Sequence, residues 1–216
     1  MSGFPQVDAF RGDANTIRVV GHRGARGDFP ENSMIGFEFA LSIGIDLLEL
    51  DVLLTKDGVP VITHDYKLNG AAIRGFDGKF IGEQETKVTS LHIEELKGFD
   101  IGRLDQHSDY GRRFPEQAQL DGVHIPRLSE LLYLVSQPKY QHVYLMLELK
   151  SVPAHSSNRE ALKKFISMVV CEVQKSDLAN RTLLHSFDWV LLTECKKQFR
   201  DMPTSFLTQL KQHTDD

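Results

Sequence analysis

The sequence predicts an α/β fold with a parallel sheet covered by helices. Short apolar runs that suit buried strands recur along the chain, and segments with helical periodicity stand between several of them. This alternation is typical of parallel sheets, whose strands are buried on both faces. The composition agrees, because 41% hydrophobic and 25% charged residues in a chain of 216 suit one globular domain with a sizeable core.

The individual elements follow from these patterns. The predicted strands are 17–20, 47–52, 59–63, 143–149, 182–185 and 204–207. The predicted helices are 33–43, 128–135, 159–175 and 189–199. The first helix carries Met34, Phe37 and Leu41 on one stripe, with Asn32 as its expected N-cap and Gly44 just past its end.

Two connections depart from simple alternation. Only the turn-like residues 55–58 and a few extended residues separate the second and third strands, which is too short for a helical crossover. In contrast, the segment 66–127 is long and rich in Gly, Asp and aromatic residues, with a hairpin-like stretch at 76–80 and a short helix near 91–97. Long insertions are usually lids or binding loops. We therefore expect residues 1–65 and 128–216 to form the main domain and 66–127 to lie over its site.

Composition also limits the partners of the chain. A net charge of −5 without any Lys/Arg-rich stretch disfavours nucleic acid and favours a small diffusible substrate. The N-terminus lacks a secretion-signal pattern and no stretch is long enough to span a membrane, so a cytoplasmic location is expected. Cys171 and Cys195 stand outside any ligand cluster and are expected to be reduced, packed thiols.

A His-Arg pair, His22 and Arg23, stands between the first predicted strand and the first predicted helix. Gly21 and Gly24 beside it allow the close backbone approach that a bound anion needs, and Arg23 offers a planar fork to phosphate oxygens. A surface turn with a solvated arginine explains the same residues. The pair alone leaves both interpretations open.

Two acidic residues, Glu49 and Asp51, occupy alternate positions in an apolar strand and therefore face the same side. Two buried, unpaired carboxylates are costly unless a cation compensates them, which points to a metal site. An edge strand with solvated acids is the alternative.

Further polar residues follow the third and fourth strands. His64 and Asp65 end the third, and Glu148 and Lys150 share one face at the end of the fourth. In a barrel, such strand-end residues converge on one mouth. A set of carboxylate oxygens suits Mg²⁺ or Ca²⁺ better than zinc.

These motifs form an ordered series that resembles the glycerophosphodiester phosphodiesterase family, within the PI-PLC-like phosphodiesterase superfamily. The series spans residues 21–188 and comprises His22-Arg23-Gly24, Pro30-Glu31-Asn32-Ser33, Glu49-x-Asp51-Val52, Thr55-Lys56-Asp57-Gly58, His64-Asp65, Glu148-x-Lys150 and Ser186-Phe187-Asp188. The segment 66–127 is similar to the insertion of that family.

The resemblance implies a TIM-type (β/α) barrel and a hydrolase of glycerophosphodiesters such as glycerophosphocholine. It implies that a divalent cation is held by Glu49, Asp51 and Glu148, that His22 and His64 are the acid/base pair, and that Arg23 and Lys150 bind phosphate. In the mechanism of the family, a substrate hydroxyl attacks phosphorus and water then opens the resulting cyclic phosphate. Alternatives are a lysophospholipase D or PI-PLC-like activity, or a non-catalytic fragment that binds metal and phosphate.

The chain departs from the family after the strand at 204–207, where the family's barrel continues with two further strand-helix units. We therefore expect an incomplete barrel of six core strands, with the first and last strands paired on one side only. His185, near a strand end, is a further candidate for the site. The remaining histidines are expected at the surface or in the core: His92, His107, His124, His142, His155 and His213.

Overall fold

The computed structural model describes residues 3–13 and 15–209, and its strands form one sheet. The six strands are β1 (Val20–His22), β2 (Leu47–Leu54), β3 (Pro60–Ile62), β4 (Tyr144–Leu149), β5 (Thr182–Ser186) and β6 (Thr204–Phe206). Five of them are parallel, in the order β1-β2-β4-β5-β6, and β3 pairs with β2 in the antiparallel direction. The six predicted strands and the parallel α/β architecture are confirmed.

Seven α-helices are described alongside the sheet. They are α1 (Pro5–Arg11), α2 (Met34–Ser42), α3 (Ile93–Leu96), α4 (Leu128–Val135), α5 (Pro153–Ser157), α6 (Arg159–Lys175) and α7 (Trp189–Gln198). The bounds of α4 and α6 are those predicted. Helix α1 was not predicted, because it buries no residue and so lacks the apolar stripe by which a helix is recognised.

The start of α2 corrects one prediction. Ser33, not Asn32, is the N-cap, and its Oγ accepts a hydrogen bond from Gly36 N at 3.1 Å. Asn32 has a positive φ of 53° and turns its amide toward β2 instead. The cap therefore falls one residue later than expected, because the Asn32 side chain bonds to Asp51 of β2 rather than to the start of the helix.

The first strand also begins later than predicted, at Val20 rather than residue 17. Its register pairs Val20 with Leu47, the first residue of β2, so no β2 residue stands opposite the earlier positions. β2 is the central element, and all its residues except Leu54 are buried. Its apolar side chains join those of α2, α4, α6 and α7 in the main core.

The short link between β2 and β3 produces an antiparallel hairpin. Thr55 N donates to Val59 O at 3.0 Å, and Gly58 takes the positive φ of 83° that the turn requires. The chain then runs back along β2, so that Thr63 N donates to Asp51 O at 3.0 Å. The hairpin thus returns His64 to the level of Asp51.

The segment 66–127 packs on the outside of this hairpin rather than forming a separate unit. Its apolar residues Leu68, Ile73 and Val88 share a second hydrophobic cluster with Leu53 of β2 and Val61 of β3. Phe99 packs against that cluster and extends this local core. Phe76 does not, because it is 87% exposed.

Both cysteines are unpaired thiols. Cys195 on α7 is buried, and burial raises its pKa to about 11. Cys171 on α6 is exposed, so the expectation of a packed thiol is wrong there. None of the helices in the described part of the chain is long and apolar enough to cross a membrane.

Within residues 3–13 and 15–209, β1 pairs only with β2, and β6 pairs only with β5. Val20 on β1 and Phe206 on β6 are 48% and 56% exposed. Uncovered apolar side chains beside unpaired strand edges favour association.

A protein of residues 1–216 should therefore bind a hydrophobic dye, and the double variant Val20→Thr, Phe206→Thr should bind less. Tyr133→Thr, an exposed position on α4, serves as the control. A monodisperse monomer that does not increase the fluorescence of the dye would contradict the expectation.

Candidate active site and cation site

Three carboxylates meet on neighbouring strands of the sheet. Glu49 and Asp51 are alternate residues of β2, and the β2–β4 register sets Glu148 opposite Asp51. One oxygen from each carboxylate lies within 4.8 Å of the other two, and all three residues are buried. The structure therefore brings the three predicted acids into one cluster, called the acidic trio below.

Two cationic side chains hold the trio. Lys150 Nζ lies 2.7 Å from Glu148 Oε1 and 3.1 Å from Asp51 Oδ1. Arg23 Nε lies 3.2 Å from Asp51 Oδ2, and Arg23 Nη1 donates to the two Glu31 oxygens at 3.1 and 3.2 Å. Both predicted phosphate-binding cations are thus at the site, where each is paired with carboxylates.

These cations keep Asp51 ionised. Burial acts to raise the pKa of Asp51, but the nearby charges of Lys150, Arg23 and His64 outweigh it, so the pKa lies below its ordinary value. The cluster therefore carries negative charge at neutral pH in spite of its burial.

The donor set fits a divalent cation. Four carboxylates, those of the trio and Glu31, face three cations, Arg23, Lys150 and Arg26, so negative charge is still in excess. Among the described residues, buried Asp51 Oδ1 accepts no hydrogen bond of good geometry, although Lys150 Nζ is near. A cluster of carboxylate oxygens with spare acceptor capacity suits a hard cation such as Mg²⁺ or Ca²⁺.

The loop between β1 and α2 is shaped around the trio. Arg23 has a positive φ of 54°, and its backbone N donates to Glu49 O at 2.9 Å and to Glu49 Oε2 at 3.1 Å. Asn32 Nδ2 donates to Asp51 Oδ2 at 2.8 Å, and Asn32 N donates to Arg23 O at 3.0 Å. Positive φ at two non-glycine residues is strained, and such strain is often found at functional sites.

The two predicted acid/base histidines lie at the rim of the trio. His22 Nε2 is 3.6 Å from Glu49 Oε2, and the His22 side chain is 54% exposed. Burial lowers its pKa below the ordinary value, and Arg26 and Arg23 add to this against the opposing charges of Glu49 and Asp51. His22 Nδ1 lies 3.2 Å from Arg26 Nη2. Because an arginine nitrogen can only donate, Nδ1 is the acceptor in that contact.

His64 is held differently. Its Nδ1 is 2.7 Å from Asp65 Oδ1, which fixes the orientation of the ring, and its side chain is 30% exposed. The charge of His64 helps to lower the pKa of Asp51, and the charge of Asp51 acts to raise the pKa of His22. Both imidazoles are therefore within electrostatic range of the same buried carboxylate.

A third histidine, His185, faces the trio from β5. It is 4% exposed, and its Nε2 lies 3.5 Å from Glu49 Oε1. The pairing of His185 with Glu148 in the β4–β5 register accounts for this position. Of the other histidines, His155 stacks on Phe165 and His124 lies beside Glu130 at the surface, while His213 is outside the described residues.

The segment 66–127 contacts the β1–α2 loop, which also carries Arg23. The Tyr110 hydroxyl donates to Glu31 Oε2, Gln117 Nε2 donates to Arg26 O at 2.8 Å, and Arg26 lies over the Phe114 ring at 4.9 Å. Sequence reasoning did not assign these contacts, nor the role of Asn32. The Pro30-Glu31-Asn32-Ser33 motif marked this loop as part of the family pattern, but it did not indicate which residues Glu31 and Asn32 contact.

Comparison with solved structures finds the same fold. A structure from Silicibacter pomeroyi DSS-3, described as a glycerophosphoryl diester phosphodiesterase candidate, is 46% identical and has a TM-score of 0.92. The match covers 99% of this chain and 72% of that one. The likeness confirms the predicted TIM-type α/β fold.

Among curated proteins, a glycerophosphodiester phosphodiesterase of Bacillus altitudinis is 33% identical over 171 residues, covering 79% of this chain and 58% of the relative. The human lysophospholipase D GDPD1 is 27% identical over 192 residues, covering 88% of this chain and 51% of the relative. The chain thus spans between about half and six tenths of the length of these relatives. The profile of the Glycerophosphoryl diester phosphodiesterase family matches residues 22–216. The chain therefore belongs to the glycerophosphoryl diester phosphodiesterase family.

Proposed function

We propose that this chain carries the catalytic site of an enzyme that hydrolyses glycerophosphodiesters with the help of a divalent cation. Its products would be glycerol 3-phosphate and an alcohol, for example choline from glycerophosphocholine. The observation that carries the proposal is the buried acidic trio, flanked by two cationic side chains and rimmed by two partly exposed imidazoles. Membership of the family supports the same chemistry.

Glu49, Asp51 and Glu148 would hold the cation, which is Mg²⁺ or Ca²⁺ by the chemistry of the oxygen donors. Once bound, the ion supplies positive charge that offsets charge on the phosphoryl oxygens. Arg23, which already pairs with Glu31, would then contact both Glu31 and the phosphate of the substrate.

Arg23 and Lys150 would bind the phosphate. Both side chains are largely buried, at 11% and 14% exposed, so a phosphate that reaches them meets charges shielded from water. The guanidinium of Arg23 offers a planar pair of donors, and Lys150, directly after β4, adds a compact charge.

His22 and His64 would move protons. We infer that the free hydroxyl next to the phosphodiester attacks phosphorus while one imidazole takes its proton and the other protonates the leaving alcohol. A cyclic phosphate forms, and water opens it with the proton roles reversed. An intramolecular nucleophile is equivalent to an effective concentration of roughly 10⁵ M or more, so positioning supplies much of the acceleration. The Asp65 carboxylate holds one ring, and the Arg26 guanidinium contacts the other.

The segment 66–127 would act as the cover of this site over a barrel formed by residues 1–65 and 128–216. Its contacts with Glu31 and with the backbone of Arg26 support this role, because they tie it to the loop that carries Arg23. Its position also limits which alcohol groups can reach His64, since Asn69, Ile73 and Leu104 of the segment line a cavity beside that ring.

A lysophospholipase D activity is the second candidate. Ile73 and Leu104 of the segment 66–127 add apolar side chains to the cavity beside His64, which an acyl chain would contact. The human relative named above carries that activity in its name. A chain that binds cation and phosphate without turnover is the remaining alternative.

We expect a protein of residues 1–216 to release choline from glycerophosphocholine in Mg²⁺ or Ca²⁺ and to lose that activity in EDTA. Assay of lysophosphatidylcholine in parallel compares the two substrate classes. If the folded protein turns over neither substrate in the presence of the cation, the proposal is contradicted and only the binding alternative remains.

Replacing either His22 or His64 by Ala should lower turnover by roughly 10²-fold or more, because each is placed to transfer a proton. Circular dichroism should show an intact fold, since both rings lie at the rim of the site. His124→Ala, at a similarly exposed ring beside a carboxylate, is the matched control. A variant that keeps the wild-type rate at saturating cation removes that histidine from the mechanism.

A further inference from the structure

We propose that His185 is a positioning residue that orients the Glu49 carboxylate for the cation. This inference rests on the proposed cation site and assigns a role to a residue outside the expected ligand and acid/base sets. The contribution of His185 would be one hydrogen bond, donated by Nε2 to Glu49 Oε1.

The strand register brings His185 to the trio. Glu148 pairs with His185 between β4 and β5, as Asp51 pairs with Glu148 between β2 and β4. Paired residues on adjacent parallel strands face the same side of the sheet. His185 therefore projects toward the side that carries the acids, where its side chain is only 6% exposed.

The nitrogen that faces Glu49 is otherwise unused. Among the described residues, His185 Nε2 is buried and has no hydrogen-bond partner, and Glu49 Oε1 lies 3.5 Å away. Burying an imidazole nitrogen without a partner destabilises a fold. An apolar side chain of similar size would fill the same space without that loss, so packing alone does not account for a histidine here.

Glu49 has one oxygen that accepts a backbone hydrogen bond and one oxygen that faces His185. Its Oε2 accepts from Arg23 N at 3.1 Å and lies 3.6 Å from His22 Nε2. His185 Nε2 is the group placed against Oε1. Asp51 has a similar neighbour, because Asn32 Nδ2 donates a hydrogen bond to Asp51 Oδ2 at 2.8 Å. Each carboxylate of β2 thus has a side-chain nitrogen beside one of its oxygens that can set its angle.

A direct bond from His185 to the cation fits the structure less well. The carboxylate oxygens of Glu49, Asp51 and Glu148 lie mutually within 4.8 Å, and His185 does not join that group in the described part of the chain. An oxygen-only set is also the one that hard cations prefer. Groups that orient the ligands of a metal typically change its affinity by roughly 10- to 100-fold when removed.

The test is Mn²⁺ binding to the 216-residue chain, measured by electron paramagnetic resonance or calorimetry, together with the melting temperature in EDTA. His185→Leu removes the donor, and His185→Gln keeps an N–H that can reach the same oxygen. His185→Met provides a second variant without a donor in case the leucine variant does not fold. His155→Leu, a partly buried ring stacked on Phe165, is the control.

We expect His185→Leu and His185→Met to weaken Mn²⁺ binding by roughly 10- to 100-fold while their melting temperature in EDTA stays equal or rises. His185→Gln should bind nearly as the wild type does. Wild-type affinity in the donorless variants would overturn the proposal, as would a loss in His185→Gln equal to that in His185→Leu, which would indicate direct ligation. A wild type that binds no Mn²⁺ would instead overturn the cation site itself, so the two failures are distinguishable.

Discussion

The central constraint on this molecule is the burial of three carboxylates within 4.8 Å of one another on two adjacent strands. Such a cluster is stable only if positive charge lies against it, because a buried, uncompensated carboxylate is among the costliest groups in a fold. Arg23 and Lys150 supply part of that charge. The remaining excess of negative charge is what the proposed cation would offset.

Much of the local structure serves this cluster. Arg23 and Asn32 both adopt positive φ, one so that its backbone N reaches Glu49 and the other so that its amide reaches Asp51. The antiparallel return of β3 has a similar effect, because it brings His64 beside Asp51 after only a short turn. A helical crossover there would have placed the next strand farther along the sheet. The two rim histidines thus come from an ordinary strand end and from a hairpin.

Sequence reasoning found the elements whose signals are local. The alternation of Glu49 and Asp51 in an apolar strand fixed their common face, and the periodicity of 159–175 gave the bounds of α6. It did not find features that depend on tertiary partners. Asn32 looked like a helix cap because caps and loop amides use the same residue types, and only the contact with Asp51 tells them apart.

The same limit applies to His185 and Tyr110. Strand-end position made His185 a candidate, but its burial against Glu49 depends on the β4–β5 register, which the sequence of one strand does not contain. The bond between Tyr110 and Glu31 joins residues far apart in the chain, so no pattern within either segment indicates it. Hydrophobic periodicity describes which face of an element is buried, whereas a site is made by the pairing of different elements.

Anomalous diffraction from crystals of this chain soaked in MnCl₂ tests the central claim most directly. The account predicts one strong Mn²⁺ peak bonded to Glu49, Asp51 and Glu148, with Lys150 displaced from at least one of its two carboxylate contacts. A peak elsewhere, or no peak while Lys150 still bridges Asp51 and Glu148, would show that the trio is a closed ion-pair network and would contradict the account.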